Sequence, residues 1–344
     1  MIPIGNVYYM LSYAFRVLRQ NGYSGLESEA FEHADDLCAA ILERAVEPQL
    51  KRGLGRGYVS KEDALATVRG RIDVGESVKT LSPLVGRLVC DYDEFSEDTL
   101  MNRVVKAAMR TLLRSRDVSA ERKRALRRLM PCFEGVRNVD LQRIDWRFRY
   151  DRNSQTYAML VFICRLVADR ALQREAHAGR RLDAFESDQA MSRLYEKFIL
   201  SYYQREHPEL QASAPQVPWA LDDGERGMLP VMQTDVTLRR DDRLLVIDAK
   251  YYQRSLQQFH DARTIHSGNL YQIFAYVKNA QESLSAAAPP VSGMLLYAKT
   301  DEEVFPQKSY LMSGNPVEVR ALDPSGDFPS IRRQLDGIVE KYFA

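Results

Sequence analysis

The 344-residue chain is 45% hydrophobic and 28% charged with a net charge of +1, a composition ordinary for a soluble globular protein and a length sufficient for two domains. No apolar run approaches the roughly 20 residues needed to cross a bilayer, and the opening Met1-Ile2-Pro3-Ile4-Gly5-Asn6 lacks the basic start of an export signal, so a cytoplasmic location without a membrane partner is expected. With charge so nearly balanced, any nucleic-acid contact has to come from a local cluster of cations.

In chain order, the first expected element is an amphipathic helix capped by Asn6 that turns Val7, Met10, Leu11, Ala14, Phe15 and Leu18 toward a core. A second helix follows over about Glu29–Val46. The Gly-rich Gly53-Leu54-Gly55-Arg56-Gly57 lacks the Gly-Lys-Ser/Thr that completes a phosphate-cradling loop, so no nucleoside triphosphate is expected to be hydrolysed by this chain. Short strands around Leu65–Val74 and Arg87–Tyr92 fit either a projecting hairpin within 50–95 or a small sheet packed on its own helices. Helices from about Asp98 to Met130 carry a basic run, Arg103 to Arg128, which reads as a solvated face or as a phosphate- or partner-facing surface.

The division is expected near residue 150, giving domains 1–150 and 151–344. The second contains helices over about Gln155–Gln173 and Ser187–Glu206, a hairpin over Leu229–Lys250 entered through Pro208, Pro215 and Pro218, and a helix over Gly268–Ala280. Strands at Gly293–Ala298 and Tyr310–Ala321 and a closing helix from Ser330 complete it. That order suits an α/β fold, a mixed central sheet flanked by helices, preceded by a mainly helical domain with a small hairpin or finger. Cys38, Cys90, Cys132 and Cys164 form no CxxC pair, and His33, His177, His207, His260 and His266 are scattered. Reduced core thiols are expected, and neither a zinc site nor a histidine-based catalytic site.

The hairpin carries the chemistry. If Asp241-Asp242 form a two-residue turn, Arg240 faces Arg243 and, counting outward, Asp235 falls opposite Asp248, with Cβ atoms about 4.5–5.5 Å apart. Two carboxylates that close repel unless a cation lies between them. The period of two puts Val246, Asp248 and Lys250 on one face of the second strand, and the apolar Leu244-Leu245-Val246-Ile247 buries that strand, where a bare charge is costly. Two acids and an amine so placed are the equipment of a metal-dependent phosphodiesterase. An Asp-x-Lys triplet alone is more often a structural ion pair.

An upstream Asp followed by Asp-x-Lys resembles the PD-(D/E)xK motif of restriction-endonuclease-like proteins, with Thr234 standing where the proline often does. Glu196, in Ser192-Arg193-Leu194-Tyr195-Glu196, matches the carboxylate often supplied by the preceding helix, or is an i,i+4 surface partner. Gln272 and Tyr276, one helical turn apart, resemble the QxxxY element of helicase-associated exonucleases, expected to orient DNA; the plainer reading is a core tyrosine beside a polar residue. The opening Ile2–Ala14, Val68-Arg69-Gly70-Arg71-Ile72, Ser96-Glu97-Asp98-Thr99-Leu100-Met101-Asn102-Arg103 and Val246–Tyr252 together resemble the McrC family along essentially the whole chain.

That resemblance implies a Mg²⁺-dependent endonuclease subunit of a methylcytosine-directed restriction complex. Asp235, Asp248 and the Ala249 carbonyl would hold the metal, with Lys250 catalytic beside them. It also implies a McrB-like AAA+ hexamer as partner, which binds GTP and whose hydrolysis this chain stimulates. Double-stranded DNA carrying modified cytosine is the expected substrate, cut after translocation, and a dimer of the nuclease subunit is expected in the cleavage complex. Arg69 and Arg71 are expected partner contacts on the finger. The competing readings are a noncatalytic adaptor that stimulates the GTPase and a stand-alone repair exonuclease.

Overall fold

The computed structural model describes residues 3–19, 23, 25–26, 29, 31–51, 53–148, 155–178, 189–225, 227–252, 256–259, 262–285, 287–299 and 307–344. Among these, nine α-helices are α1 (Ile4–Ala14), α2 (Ala34–Leu50), α3 (Val74–Lys79), α4 (Leu100–Arg114), α5 (Ala120–Leu129), α6 (Gln155–Ala178), α7 (Gln189–Glu206), α8 (Ser267–Glu282) and α9 (Phe328–Phe343). The strands are β1 (Gly57–Leu65), β2 (Arg71–Ile72), β3 (Leu88–Ser96), β4 (Gln216–Val217), β5 (Met232–Gln233), β6 (Val236–Arg240), β7 (Arg243–Lys250), β8 (Leu256–Phe259), β9 (Ala262–Ile265), β10 (Ser292–Ala298), β11 (Lys308–Met312) and β12 (Asn315–Leu322). No described helix is long and apolar enough to cross a membrane.

Two compact units result, Met1–Glu32 with Gln173–Ala344, and His33–Leu172. The boundary expected near 150 falls at 149–154, outside the described residues, and the two-domain split is corrected at both ends. Helix α1 belongs with the C-terminal segment, and α6 as far as Leu172 belongs with the central one. Asn6 explains the first correction. It is not the cap of α1, a place taken by Pro3; it lies inside the helix, buried, and its Nδ2 donates to the carbonyls of Pro324 and Gly326, each at 2.7 Å. Tyr9 stacks on Phe328 at 4.6 Å between ring centres.

The larger unit is built on a five-stranded sheet of order β11-β12-β10-β7-β6, in which β7, β10 and β12 run parallel and both edges are antiparallel. Strand β7 is apolar almost throughout because it is covered on both faces. Val246, Leu295, Tyr297, Val317 and Val319 face Ile273, Tyr276, Val277 and Ala280 of α8. Leu245, Ile247 and Ala249 alternate to the other side and are fully buried, where α7 and α9 pack on β7. These helices are tied together by the Tyr202 hydroxyl donating to Asp336 at 2.6 Å and that of Tyr203 donating to the Leu335 carbonyl at 3.1 Å. The single strand expected over Tyr310–Ala321 is two, reversed at Ser313-Gly314, where both residues have positive φ (48° and 87°) as a tight hairpin turn requires.

The second unit buries Leu37, Ile41 and Leu42 of α2, Val104, Ala108, Met109 and Leu112 of α4, and Met159, Leu160 and Ile163 of α6. Fully buried Asp35 accepts from Ser115 Oγ at 2.6 Å and Arg170 Nε at 2.9 Å, so the charge on α2 is compensated inside the helical core. From this body rises the ribbon β1-β3-β2. Strand β1 begins earlier than expected, at Gly57, and much of its length is exposed to solvent. The register runs from Gly57 opposite Ser96 to Leu65 opposite Leu88, nine residues spanning roughly 30 Å, so residues 66–87 form the far end. The region forms a three-stranded sheet whose long strands β1 and β3 are exposed over much of their length.

The ribbon's far end needs Gly70. It has φ of +68°, and a Cβ there would lie 2.2 Å from the Asp91 carbonyl and 2.8 Å from Tyr92 Cβ; Arg69 lies over the Tyr92 ring at 4.5 Å. Gly86 shares the positive φ (+69°) but has open space around it. Gly70→Ala is therefore expected to cost about 1–3 kcal/mol locally and to accelerate hydrogen exchange in β2 and the adjoining half of β3 tenfold or more, whereas Gly86→Ala produces a clearly smaller change.

Candidate active site

The turn at Asp241-Asp242 forms as its sequence suggests, with Asp241 in the left-handed region (φ 57°) and Arg240 paired with Arg243. Pairing then proceeds outward to Val236 opposite Ile247, and the next position brings Asp235 level with Asp248. Asp235 lies just beyond the end of β6. Where the backbone ladder stops, its carboxylate takes over: Oδ2 accepts from the Ala249 amide at 2.9 Å. Thr234, in the place of the proline, is buried and anchored by its amide and hydroxyl to the Pro215 carbonyl, at 3.2 and 3.1 Å.

Asp248 sits in the middle of the sheet, 1% exposed, beside Leu295 of β10. Lys250 Nζ lies 2.9 Å from its Oδ1, yet neither carboxylate oxygen of Asp248 has a hydrogen-bond partner of acceptable geometry. We read the contact as an ion pair too bent for a good hydrogen bond, which leaves the acid short of donors. Burial pushes the Asp248 carboxyl up to about 7, with Lys250 opposing and Asp235 adding to the shift. Burial lowers the Lys250 ammonium, but the Asp248 carboxylate outweighs it and the net shift is upward. Above about pH 7 the pair is thus an ionised acid and a firmly protonated amine.

Lys250 is also held from α8. Its Nζ donates to Gln272 Oε1 at 3.2 Å, and Gln272 Nε2 donates to the Tyr276 hydroxyl at 2.9 Å. The reach of a glutamine suffices because α8 lies close on the sheet at Gly293, where a Cβ would come within 2.8 Å of Val277 and 3.0 Å of Ile273. The structure thus joins Gln272 and Tyr276 to the lysine. Glu196 of α7 accepts from Ser192 Oγ at 3.2 Å, and its carboxyl is raised to about 7 by burial and then by the negative charge of Asp235. The i,i+4 partner is present, and so is electrostatic proximity to the acids.

The residues suit a small hard cation. Asp248 supplies two buried oxygens short of donors, Asp235 a second carboxylate, and the Ala249 carbonyl follows Asp248 directly in sequence. Among the described residues no group of three or more His, Cys, Asp or Glu side chains could hold a metal, so other ligands would be water or substrate, the habit of Mg²⁺.

A family model described as "McrBC 5-methylcytosine restriction system component" matches residues 6–298. The chain belongs to this McrBC family. It is 25% identical over 349 residues to the Escherichia coli (strain K12) protein described as "Type IV methyl-directed restriction enzyme EcoKMcrBC", covering 99% of this chain and 98% of that one. It is also similar, at 17% identity and a TM-score of 0.44, to a chain of the Thermococcus gammatolerans assembly of McrB AAA+ hexamers with bound McrC, covering 98% of this chain and 76% of that chain. For a chain of the Thermococcus gammatolerans McrBC complex the TM-score is 0.34 at 17% identity, covering 51% and 56%.

Other landmarks of this McrBC-family chain lie in the second unit and hold its ribbon. Asp98 receives both Arg103 nitrogens at 2.7 Å and the Arg137 amide at 2.8 Å. Asn102 Nδ2 donates to the carbonyls of Gly55 and Glu97, at 2.9 and 2.7 Å. Arg71 pairs with Asp91 in the ladder and, like Arg69, has an exposed side chain. A hydrogen-bonded set beside Lys250 escaped the sequence reading: Asn269 donates to the Tyr297 hydroxyl at 2.8 Å and accepts from that of Tyr252 at 3.4 Å. Tyr297 reads in sequence as one more apolar strand residue; only its register opposite Lys250 gives it away. Cys132 is exposed, contrary to the expectation of four core thiols, while Cys38, Cys90 and Cys164 are buried.

An acid whose folded pKa is raised binds its proton more tightly folded than unfolded, so stability is greatest below the unfolded pKa and declines as pH rises through the folded one. For Asp248 that window runs from 3.8 to about 7. In chelator-treated protein, Asp248→Asn is expected to flatten the decline in unfolding temperature across this range and to raise stability at pH 8. A parallel decline in the variant would refute the buried-acid assignment.

Proposed function

We propose that this chain is the Mg²⁺-dependent endonuclease subunit of a modification-dependent restriction complex, with a restriction-endonuclease-like larger unit and Asp235, Asp248 and Lys250 as its catalytic centre. The observation that carries the reading is Asp248, a buried carboxylate in mid-sheet with both oxygens short of donors, beside a second acid and an amine. A stabilising ion pair would be expected to satisfy its carboxylate more completely. Membership of the McrBC family supports the same conclusion.

Asp235, Asp248 and the Ala249 carbonyl would hold Mg²⁺, which when bound supplies Lewis-acid stabilisation of phosphoryl charge and acidifies water. Lys250 presents a protonated amine to the scissile phosphate and stabilises the added negative charge of the transition state. Gln272 fixes the direction of that amine, and Tyr276 fixes the Gln272 amide. Glu196, titrating near neutrality, takes up or releases a proton at the edge of the site.

The partner is an AAA+ hexamer of the McrB kind, as in the archaeal relative, which carries the GTP site. The ribbon is the element that engages it and stimulates its GTPase: beyond Leu65 it exposes Val74, Val78, Leu81, Leu84 and Val85, an apolar far end without cover among the described residues, with Arg69 and Arg71 along it. The substrate is double-stranded DNA with modified cytosine, and two nuclease subunits together would cut both strands.

With the cognate GTPase, GTP and Mg²⁺, Asp248→Ala and Lys250→Ala are each expected to lower plasmid cleavage at least about a hundredfold while complex formation is retained; a variant that still cuts would overturn the assignment. Independently of activity, Mg²⁺ is expected to raise the unfolding temperature of the wild-type chain and to leave that of Asp248→Asn unmoved, as followed by differential scanning calorimetry.

A further inference from the structure

The basic run of the second unit separates into two sets. In the first, each cation is used by the fold: Arg103 by Asp98, Lys106 by the Val136 carbonyl at 2.5 Å, Arg110 by Asn138 at 2.5 Å, and Arg122 by Glu43 at 2.9 Å. In the second, Arg114, Arg116, Lys123, Arg127 and Arg128 have no ion-pair or hydrogen-bond partner among the described residues, and Arg124 touches only the Ala120 carbonyl of its own helix, at 3.3 Å.

The second set is ordered by the helix. On α5, Lys123 and Arg127 are four apart, as are Arg124 and Arg128, so the four make one stripe. Ala125 and Leu126 are buried on the opposite side, which fixes the stripe outward. Arg114 ends α4 and Arg116 lies in the turn between the helices, both exposed. The single acid of α5 is Glu121, in its first turn. In a chain whose net charge is only +1, this is a concentrated and uncompensated positive surface.

The surface has no apolar component. Among the described residues no large hydrophobic side chain is exposed between Leu100 and Met228. Protein interfaces of any strength have an apolar or aromatic centre with charge at the rim, and the ribbon's far end offers such a centre while α5 does not. Unpaired arginines and lysines at helical spacing instead suit a polyanion of regular charge, gripped without reading its sequence.

We infer that the outward stripe of α5, Lys123, Arg124, Arg127 and Arg128, with Arg114 and Arg116 beside it, is a second DNA contact of this chain, one on the second unit that tracks the phosphate backbone of duplex DNA. It rests on the proposal that this chain acts on DNA, and adds where the duplex is held. Direct use of each cation releases counterions, so the contact is steeply salt-dependent.

The test is binding of the full chain to a labelled 30-base-pair duplex in EDTA, over a range of salt. Relative to wild type, Lys123→Gln/Arg124→Gln/Arg127→Gln/Arg128→Gln is expected to bind roughly tenfold or more weakly and to have a log–log salt slope shallower by about 3 to 4. Arg114→Gln/Arg116→Gln gives a smaller change in the same direction. All six side chains lie outside the core, and unchanged unfolding temperatures establish that the variants fold. Unaltered affinity and slope would overturn the proposal, as would failure of wild type to bind duplex even at low salt. Loss of association with the GTPase partner at unchanged DNA binding would assign the stripe to a protein instead. Asp248→Ala separates the two readings: it is expected to abolish cutting yet bind duplex like wild type, so the stripe can fail while the nuclease assignment stands.

Discussion

The register of one hairpin governs the larger unit. A two-residue turn at Asp241-Asp242 sets Val236 against Ile247, and a slip of one residue would send every side chain of β7 to the opposite face. Asp248 and Lys250 would then both leave Gln272, and Ile247 would lose its place in the core. The apolar residues therefore enforce the position of the acid: Leu245, Val246 and Ile247 cannot be buried correctly without placing Asp248 where its charge is costly. Backbone pairing with Leu295 of β10 holds Asp248 in the sheet, and its side chain is 1% exposed. The fold holds a destabilising group in place, and such groups persist where the surrounding structure enforces them.

The same logic extends outward through packing. Lys250 is aimed by Gln272, Gln272 by Tyr276, and all of α8 by its approach to β10 at Gly293. A side chain at 293 would lift the helix and lengthen the Lys250–Gln272 contact without touching a polar atom. The Asn269–Tyr297–Tyr252 set lies on the same seam, so the polar network is assembled on one helix–sheet interface whose spacing a glycine fixes.

What could be read in the sequence was what depends on short-range periodicity. Asp235, Asp248 and Lys250 are related by a turn and by alternation, and Gln272 and Tyr276 by one helical turn, so their grouping follows from spacing. The long helices were legible for the same reason. Asn6 was misread because cap propensity is local, whereas its partners, Pro324 and Gly326, are more than three hundred residues away. The membership of α1 in the C-terminal unit is equally non-local. Strand β1 escaped because both faces of much of its length meet solvent, so apolar alternation, the usual signal of a strand, is weak. Gly314 went unnoticed because Ser-Gly is a softer turn signal than Asn-Gly within an otherwise strand-like run.

The segments that resemble the McrC family have two different surroundings in the structure. Val246–Tyr252 carries Asp248 and Lys250. Ser96–Arg103 secures the base of the ribbon: Thr99 caps α4, Asn102 ties the start of β1 to the end of β3, and Asp98 binds two arginines. Burial pushes the Asp98 carboxyl up, but hydrogen bonds from Arg103 and Arg137 outweigh it and hold the group well below the usual carboxylate range. A ribbon exposed along most of its length has little core of its own, so its stiffness has to come from its base, and charge-assisted hydrogen bonds in a fixed geometry supply that directionally. Val68–Ile72 does the same at the other end through the close approach of Gly70 to Asp91. The ribbon is thus braced at both ends, by the Asp98 ion pairs at its base and by Gly70 against Asp91 beyond β1.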